Sequence, residues 1–216
     1  MNLAEFEKFF LEKMSEVSLN DDPAHDLLHL KRVVQTAKKL CVLEKAKIEV
    51  VLPAAWFHDM ILIAKNDPRR AHASQLSAGA AIEFLRKHNY PQQHLKEIAH
   101  AIEAHSFSAG IPPMTIEAQI VQDADRLDAL GAIGIARCFA TAGLLKRSFY
   151  SEDDPFCNSR PADDSLFTVD HFYMKLFTLV DTLKTNAGQI EGEKRLKVMK
   201  KFLDDLNLEI KYHLPQ

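Results

Sequence analysis

The sequence predicts an all-α fold, and three observations carry that prediction. Apolar residues recur at helical spacing along nearly the whole chain; only seven glycines occur in 216 residues, none before Gly79; and no stretch sustains the alternation of a half-buried strand. In chain order, Phe6, Phe9, Phe10 and Met14 mark a first apolar stripe. Asp22-Pro23 supplies a cap candidate and a proline at the first helical position, opening a helix to about Leu43 with His25 and His29 one turn apart. A third helix runs from about Ile48 to Asp59 and contains Pro53, which removes a backbone donor. The stretch from Leu62 to Arg70 reads as a polar loop, followed by helices over about His72–His88 and Gln93–His105 and a loop over Ser106–Pro113. Thr115 begins the next helix, whose apolar face is Ile116, Ile120, Val121, Ala124, Leu127 and Leu130. Gly131 and Gly134, three apart, suggest a close approach of another helix. The proline-punctuated tract from about Ser151 to Asp164 reads as a long polar loop, the element expected to be most mobile, and helices over about Leu166–Lys184 and Gln189–Leu208 complete the chain.

Length and composition fit one helical domain spanning residues 1–216, its core over about 22–140, with 47% hydrophobic and 26% charged residues. A net charge of −3 gives no general attraction to nucleic acid or anionic membrane, so any phosphate affinity has to be local. The N-terminal residues lack the pattern of a signal peptide and no apolar run approaches a membrane span, which predicts a cytoplasmic protein without a membrane or nucleic-acid partner. Cys41, Cys138 and Cys157 are odd in number and far apart, and read as reduced thiols.

The chemistry gathers around His58-Asp59, which ends the apolar run Val50–Phe57. A carboxylate and an imidazole at the end of a buried-type helix need partners, because an unpaired buried charge costs several kcal/mol. Taken alone, the pair is open to a structural reading as well as to ligation; His29 alone could be a partly buried histidine, and Asp125 alone a cap or ion-pair partner. Together, His29, His58, Asp59 and Asp125 make a mixed nitrogen and oxygen set suited to one divalent cation (Mn, Mg, Ni, Fe or Zn) with positions left open for water.

Three stretches, His25-Asp26-x-x-His29-x-x-Arg32-Val33, Ala54-Ala55-x-x-His58-Asp59 and Gln122-Asp123-Ala124-Asp125-Arg126-Leu127-Asp128-Ala129-x-Gly131-Ala132-x-Gly134-Ile135-Ala136-Arg137, resemble the HD-domain metal-dependent phosphohydrolase superfamily. The narrower likeness is to the YpgQ and YedJ group of bacterial HD hydrolases. The resemblance implies a helical HD fold, a divalent ion held by His29, His58, Asp59 and Asp125, and hydrolysis of a phosphate ester or anhydride, in some similar proteins of a nucleoside triphosphate. Where the group usually has a small or glycine-containing turn after its His-Asp pair, this chain has Met60-Ile61-Leu62, so its pocket wall should differ.

Phosphoryl transfer chiefly needs positioning and charge neutralisation. Lys65, Arg69 and Arg70 follow the His-Asp pair and are the first candidates for substrate phosphate. His25 could donate to the same phosphate; Asp26 could orient a ligand or act as a base through water, beside Asp59. His105 could touch substrate or complete a second metal site with one of His72, His88, His94 and His100, although one ion is the favoured reading. Arg126 and Asp128 read as members of an ion-pair network, and Trp56, Phe57, Phe107, Phe156 and Phe172 as core residues among which a base-stacking ring is a possibility. The expected activity is metal-dependent phosphohydrolysis of a small phosphate substrate, a nucleotide in the first instance. A regulatory HD module that binds metal or nucleotide without turnover, or a di-iron oxygenase on the same scaffold, are the competing classes.

Overall fold

The helix that carries His29 begins at Leu27 because Asp26 caps it, its carboxylate accepting the N–H of His29 at 2.7 Å. In the computed structural model, which describes residues 2–17, 26–63 and 67–211, this start replaces the one expected at Asp22-Pro23; that dipeptide and His25 lie outside the described residues. The helices are α1 (Leu3–Val17), α2 (Leu27–Leu43), α3 (Ile48–Phe57), α4 (Ala73–Lys87), α5 (Leu95–His105), α6 (Ile116–Asp128), α7 (Gly131–Leu144) and α8 (Asn186–Lys211). The all-α expectation holds, and among the described residues the sole extended pairing is an isolated bridge between Ser148 and Phe167. No single helix among them is long and apolar enough to cross a membrane.

Two compact units form, Met1–Arg126 with Leu183–Gly188, and Leu127–Thr182 with Gln189–Gln216. In the first, α3 is the central element, packed by α1, α2 and α5, with α4 lying against α5. Every residue from Val50 to Phe57 is buried, and burial of each large apolar side chain stabilises by roughly 1.5–3 kcal/mol. Phe10 meets Phe57 edge-on at 4.9 Å between ring centres, and Phe57 meets Phe84 at 5.3 Å. Pro53 sits inside α3 and has no N–H for the carbonyl of Glu49, one turn earlier. The hydroxyl of Tyr90 takes that carbonyl instead, at 2.7 Å. The expected polar loop before α4 holds a short 3₁₀ turn, Pro68–His72, started by Asp67, whose carboxylate accepts the N–H of Arg69. Thr115 caps α6 through the N–H of Ala118.

The second unit departs most from expectation. Instead of one helix over Leu166–Lys184, a π-helical turn over Phe172–Leu176 runs into a 3₁₀ stretch over Phe177–Thr182. The N–H and hydroxyl of Thr168 both donate to the carbonyl of Ser148, which keeps the segment from coiling earlier. The last helix starts at Asn186, ahead of the expected Gln189, because the Thr185 hydroxyl accepts the N–H of Gly188. Gly131 opens α7 with φ +71°, a conformation that favours glycine, and Gly134 closes on the carbonyl of Ala129. The glycine pair therefore serves a tight helix start; the neighbouring-helix contact expected of both is confined to Gly131, beside the Arg195 side chain. Phe139 gathers Phe149 and Phe202 edge-on at 5.2 and 5.8 Å.

Candidate metal centre

Three helix ends and one helix interior converge in the first unit. His29 projects from the first turn of α2, His58 and Asp59 follow the last residue of α3, His105 closes α5, and Asp125 sits near the end of α6. His58 is wholly buried, His29 and His105 nearly so, while Asp59 and Asp125 are partly open. Nε2 of His29 lies 3.5 Å from Asp125 Oδ1, and Nε2 of His58 lies 3.5 Å from Asp59 Oδ2 and 3.9 Å from Asp125 Oδ1. His105 Nε2 is 3.5 Å from the other Asp59 oxygen.

These separations are long for charge-assisted hydrogen bonds. They are the right size for a shared cation: ligand bonds of about 2.0–2.2 Å place neighbouring donor atoms roughly 3–3.5 Å apart. Two overlapping sets, His29, His58 and Asp125, and His58, Asp59 and His105, each bring their donor atoms within 4.8 Å of one another, and both contain His58. His58 Nδ1 faces the carbonyl of Ala55 at 2.9 Å and must donate to it, so in the neutral ring the Nε2 lone pair points into the cluster. That Nε2 is buried and has no hydrogen-bond partner among the described residues. Burial pushes the His58 pKa down, partly opposed by Asp59, and this favours the neutral form a metal needs. Burial would raise the pKa of Asp125, but the three imidazoles around it outweigh burial and lower it. His105 is held the same way as His58, its Nδ1 donating to Ile102 at 2.6 Å. Burial works against its charge, and Asp59 more than offsets that, raising its pKa. The donor set and the orphaned His58 nitrogen fit a divalent ion.

Of the other sequence candidates, Asp26 serves the site by capping α2 at His29. His25 and Lys65 lie outside the described residues. Arg69 pairs with Asp67 on the surface at 2.7 Å, and Arg70 donates to the carbonyl of Ile63 at 3.2 Å; neither contact belongs to the cluster. His72 contacts Gln75, His88 the carbonyl of Phe84, and His100 accepts the N–H of Met114, so of these histidines it is His105 that joins the site. Asp128 pairs with Arg137 at 2.8 Å.

Two supporting residues had no role assigned from sequence. Gln122 donates to the carbonyl of Ala104 at 2.7 Å, tying α6 to the end of α5 beside His105. Asp123, fully buried, accepts the N–H groups of Lys184 and Thr185 at 2.9 and 2.7 Å and the Thr185 hydroxyl at 2.8 Å. Both stand in the long motif around Asp125, and buried-type polar residues on an amphipathic helix were the signal for them.

Comparison with known proteins agrees with this geometry. A family model described as "HD domain" matches residues 27–130, a span that contains the whole cluster. The YpgQ protein of Bacillus subtilis is 30% identical over 201 residues, 91% of this chain and 90% of its own. This chain is an HD-domain protein. Among solved structures, the Lin1889 protein of Listeria innocua matches the HD chain with a TM-score of 0.75 and 30% identity over 100% of both chains. Bacillus subtilis YpgQ in complex with ADP matches with a TM-score of 0.74 and 28% identity over 95% of each. An HD-superfamily hydrolase from Bacillus thuringiensis matches with a TM-score of 0.74 and 29% identity over 95% of this chain and 97% of its own.

Proposed function

We propose that the protein is a divalent-metal-dependent phosphohydrolase acting on a nucleotide, with a nucleoside triphosphate cleaved to release pyrophosphate or orthophosphate. The observation that carries the reading is the buried, unpartnered Nε2 of His58 at the junction of two donor sets. His29, His58, Asp59 and Asp125 would hold the ion. When bound, it supplies polarisation of a phosphoryl oxygen and a lowered pKa for water, so no side-chain nucleophile is needed. Asp59, partly open to solvent, faces the cluster with one oxygen and His105 with the other, and so can take up a proton at the edge of the site. His105, on the far side of Asp59, is the candidate to meet substrate. Asp26 keeps His29 at the start of α2, and Gln122 keeps the end of α5 in place. The nucleotide preference draws on ADP in the related YpgQ structure.

The test is a screen of ribo- and deoxyribonucleotides with the metal-loaded protein, quantifying pyrophosphate, phosphate and nucleoside, alongside elemental analysis. Metal-dependent turnover of triphosphates that chelators stop is the expected result. Release of phosphate from monophosphates alone would shift the substrate class, and no turnover despite bound metal would favour a binding module.

A further inference from the structure

Five aromatic residues are open, from sequence, to stacking on a nucleobase, and the fold sorts them. Trp56, Phe57 and Phe172 are core, and Phe156 is half-buried in the second unit. Phe107 is 73% exposed. It stands in the loop after α5, two residues beyond His105. The guanidinium carbon of Arg126, the residue after Asp125, lies 5.9 Å from the centre of the Phe107 ring. A loop residue just beyond His105 and a helix residue next to Asp125 thus meet as a cation–aromatic pair. Consecutive α-carbons are about 3.8 Å apart, so the backbones of both members lie within about 8 Å of the backbones of His105 and Asp125.

Phe107 leaves a ring open to solvent beside Arg126, and a guanidinium against an aromatic face keeps its N–H edges in a fixed plane suited to bidentate phosphate contact. Of the three cations expected to clamp phosphate, Arg69 is engaged by Asp67 and Arg70 by the Ile63 carbonyl, and Lys65 lies outside the described residues. We infer that Phe107 and Arg126 form the nucleotide platform of the centre, Phe107 stacking on the base and Arg126 holding the phosphates that lead to the cluster. The inference rests on the nucleotide reading above and names the residues that would recognise that substrate. Stacking uses a ring face that every base has, so base preference is weak.

Equilibrium binding of ADP and of inorganic pyrophosphate, each with Mn²⁺, separates the two roles in wild type, Phe107→Ala, Phe107→Tyr and Arg126→Gln. Phe107→Ala should weaken ADP about tenfold and leave pyrophosphate within about twofold, and Phe107→Tyr should restore ADP, because a base–aromatic stack is lost and then regained. Arg126→Gln should weaken both ligands about tenfold to a hundredfold, with Mn²⁺ content unchanged. ADP binding unaltered in Phe107→Ala, or equal losses of ADP and pyrophosphate in it, would overturn the inference while leaving the metal centre intact. Wild-type protein that binds Mn²⁺ but neither ligand would remove the nucleotide reading itself.

Discussion

The cluster of the first unit and the acidic loop of the second use the same residue types to opposite ends. In the loop, Asp154 accepts the N–H groups of Asn158, Ser159 and Arg160 at 3.0, 2.7 and 3.2 Å. Arg160 then grips the fully buried Asp170 with two nitrogens, at 2.5 and 2.8 Å, and Asp170 also takes the N–H of Asp163 at 2.7 Å. Each of these carboxylates has its charge met by a protein donor at hydrogen-bonding distance. In the cluster, carboxylates and imidazoles stand 3.5–3.9 Å apart, and a buried nitrogen of His58 has no partner. Saturation by protein donors marks a structural knot; a buried lone pair among spaced carboxylates and imidazoles marks a donor set that fits a cation.

Removing a cluster residue is the largest expected break in the comparison. His58→Ala or Asp59→Ala should abolish metal-dependent hydrolysis, a loss of about a thousandfold or more, while far-ultraviolet circular dichroism stays helical. Asp125→Asn should act alike, since the amide keeps the shape without the charge; wild-type metal affinity in that variant would remove Asp125 from the set. In the knot the loss should fall on stability instead. Asp170→Asn leaves Arg160 facing a neutral group and should cost about 3 kcal/mol in denaturant unfolding, with metal content per folded molecule unchanged.

Acid should distinguish the two regions more gently. Backbone donors from Ser159 and Asn158 hold the Asp154 carboxyl below the usual carboxylate range; burial opposes the same shift in Asp170, and Arg160 outweighs it. A folded-state pKa below the unfolded one gives stability that is fully present above about pH 4 and is lost as pH falls toward the folded values. The melting temperature should therefore drop with acid below about pH 4, and less steeply in Asp170→Asn. The smallest effect belongs to Arg69→Ala: its exposed pair with Asp67 is screened by solvent, so thermal unfolding should barely move.

The cluster was readable because metal ligation restricts residue types, and His29, His58-Asp59 and Asp125 stand in long, specific surroundings. His105 was harder to place: its partner Asp59 is 46 residues away, and which of several histidines meets it depends on how α3 and α5 cross. The helices of the first unit were legible from apolar spacing and caps, with most boundaries displaced by one or two residues and the start of α2 by more, at Leu27 in place of Asp22-Pro23. The second unit was less so, since the segment before α8 is shaped by the Ser148 carbonyl and by Arg160, contacts that no local periodicity encodes. Phe107 resembled any core phenylalanine until burial separated it from Phe57 and Phe172.

The proline in α3 has a consequence for which substitutions this chain can accept, and in what order. Pro53 frees the Glu49 carbonyl and the Tyr90 hydroxyl satisfies it, so the two side chains compensate one backbone defect between them. Tyr90→Phe in the present background removes the hydroxyl that meets this carbonyl and should cost about 0.5–1.5 kcal/mol. With Pro53→Ala already in place, the restored N–H can serve the carbonyl, and the same tyrosine change should cost measurably less. A double-mutant cycle would read this as a positive coupling between positions 37 residues apart in sequence. The two sites then form an epistatic pair: drift is permitted through the proline first and impeded through the tyrosine first.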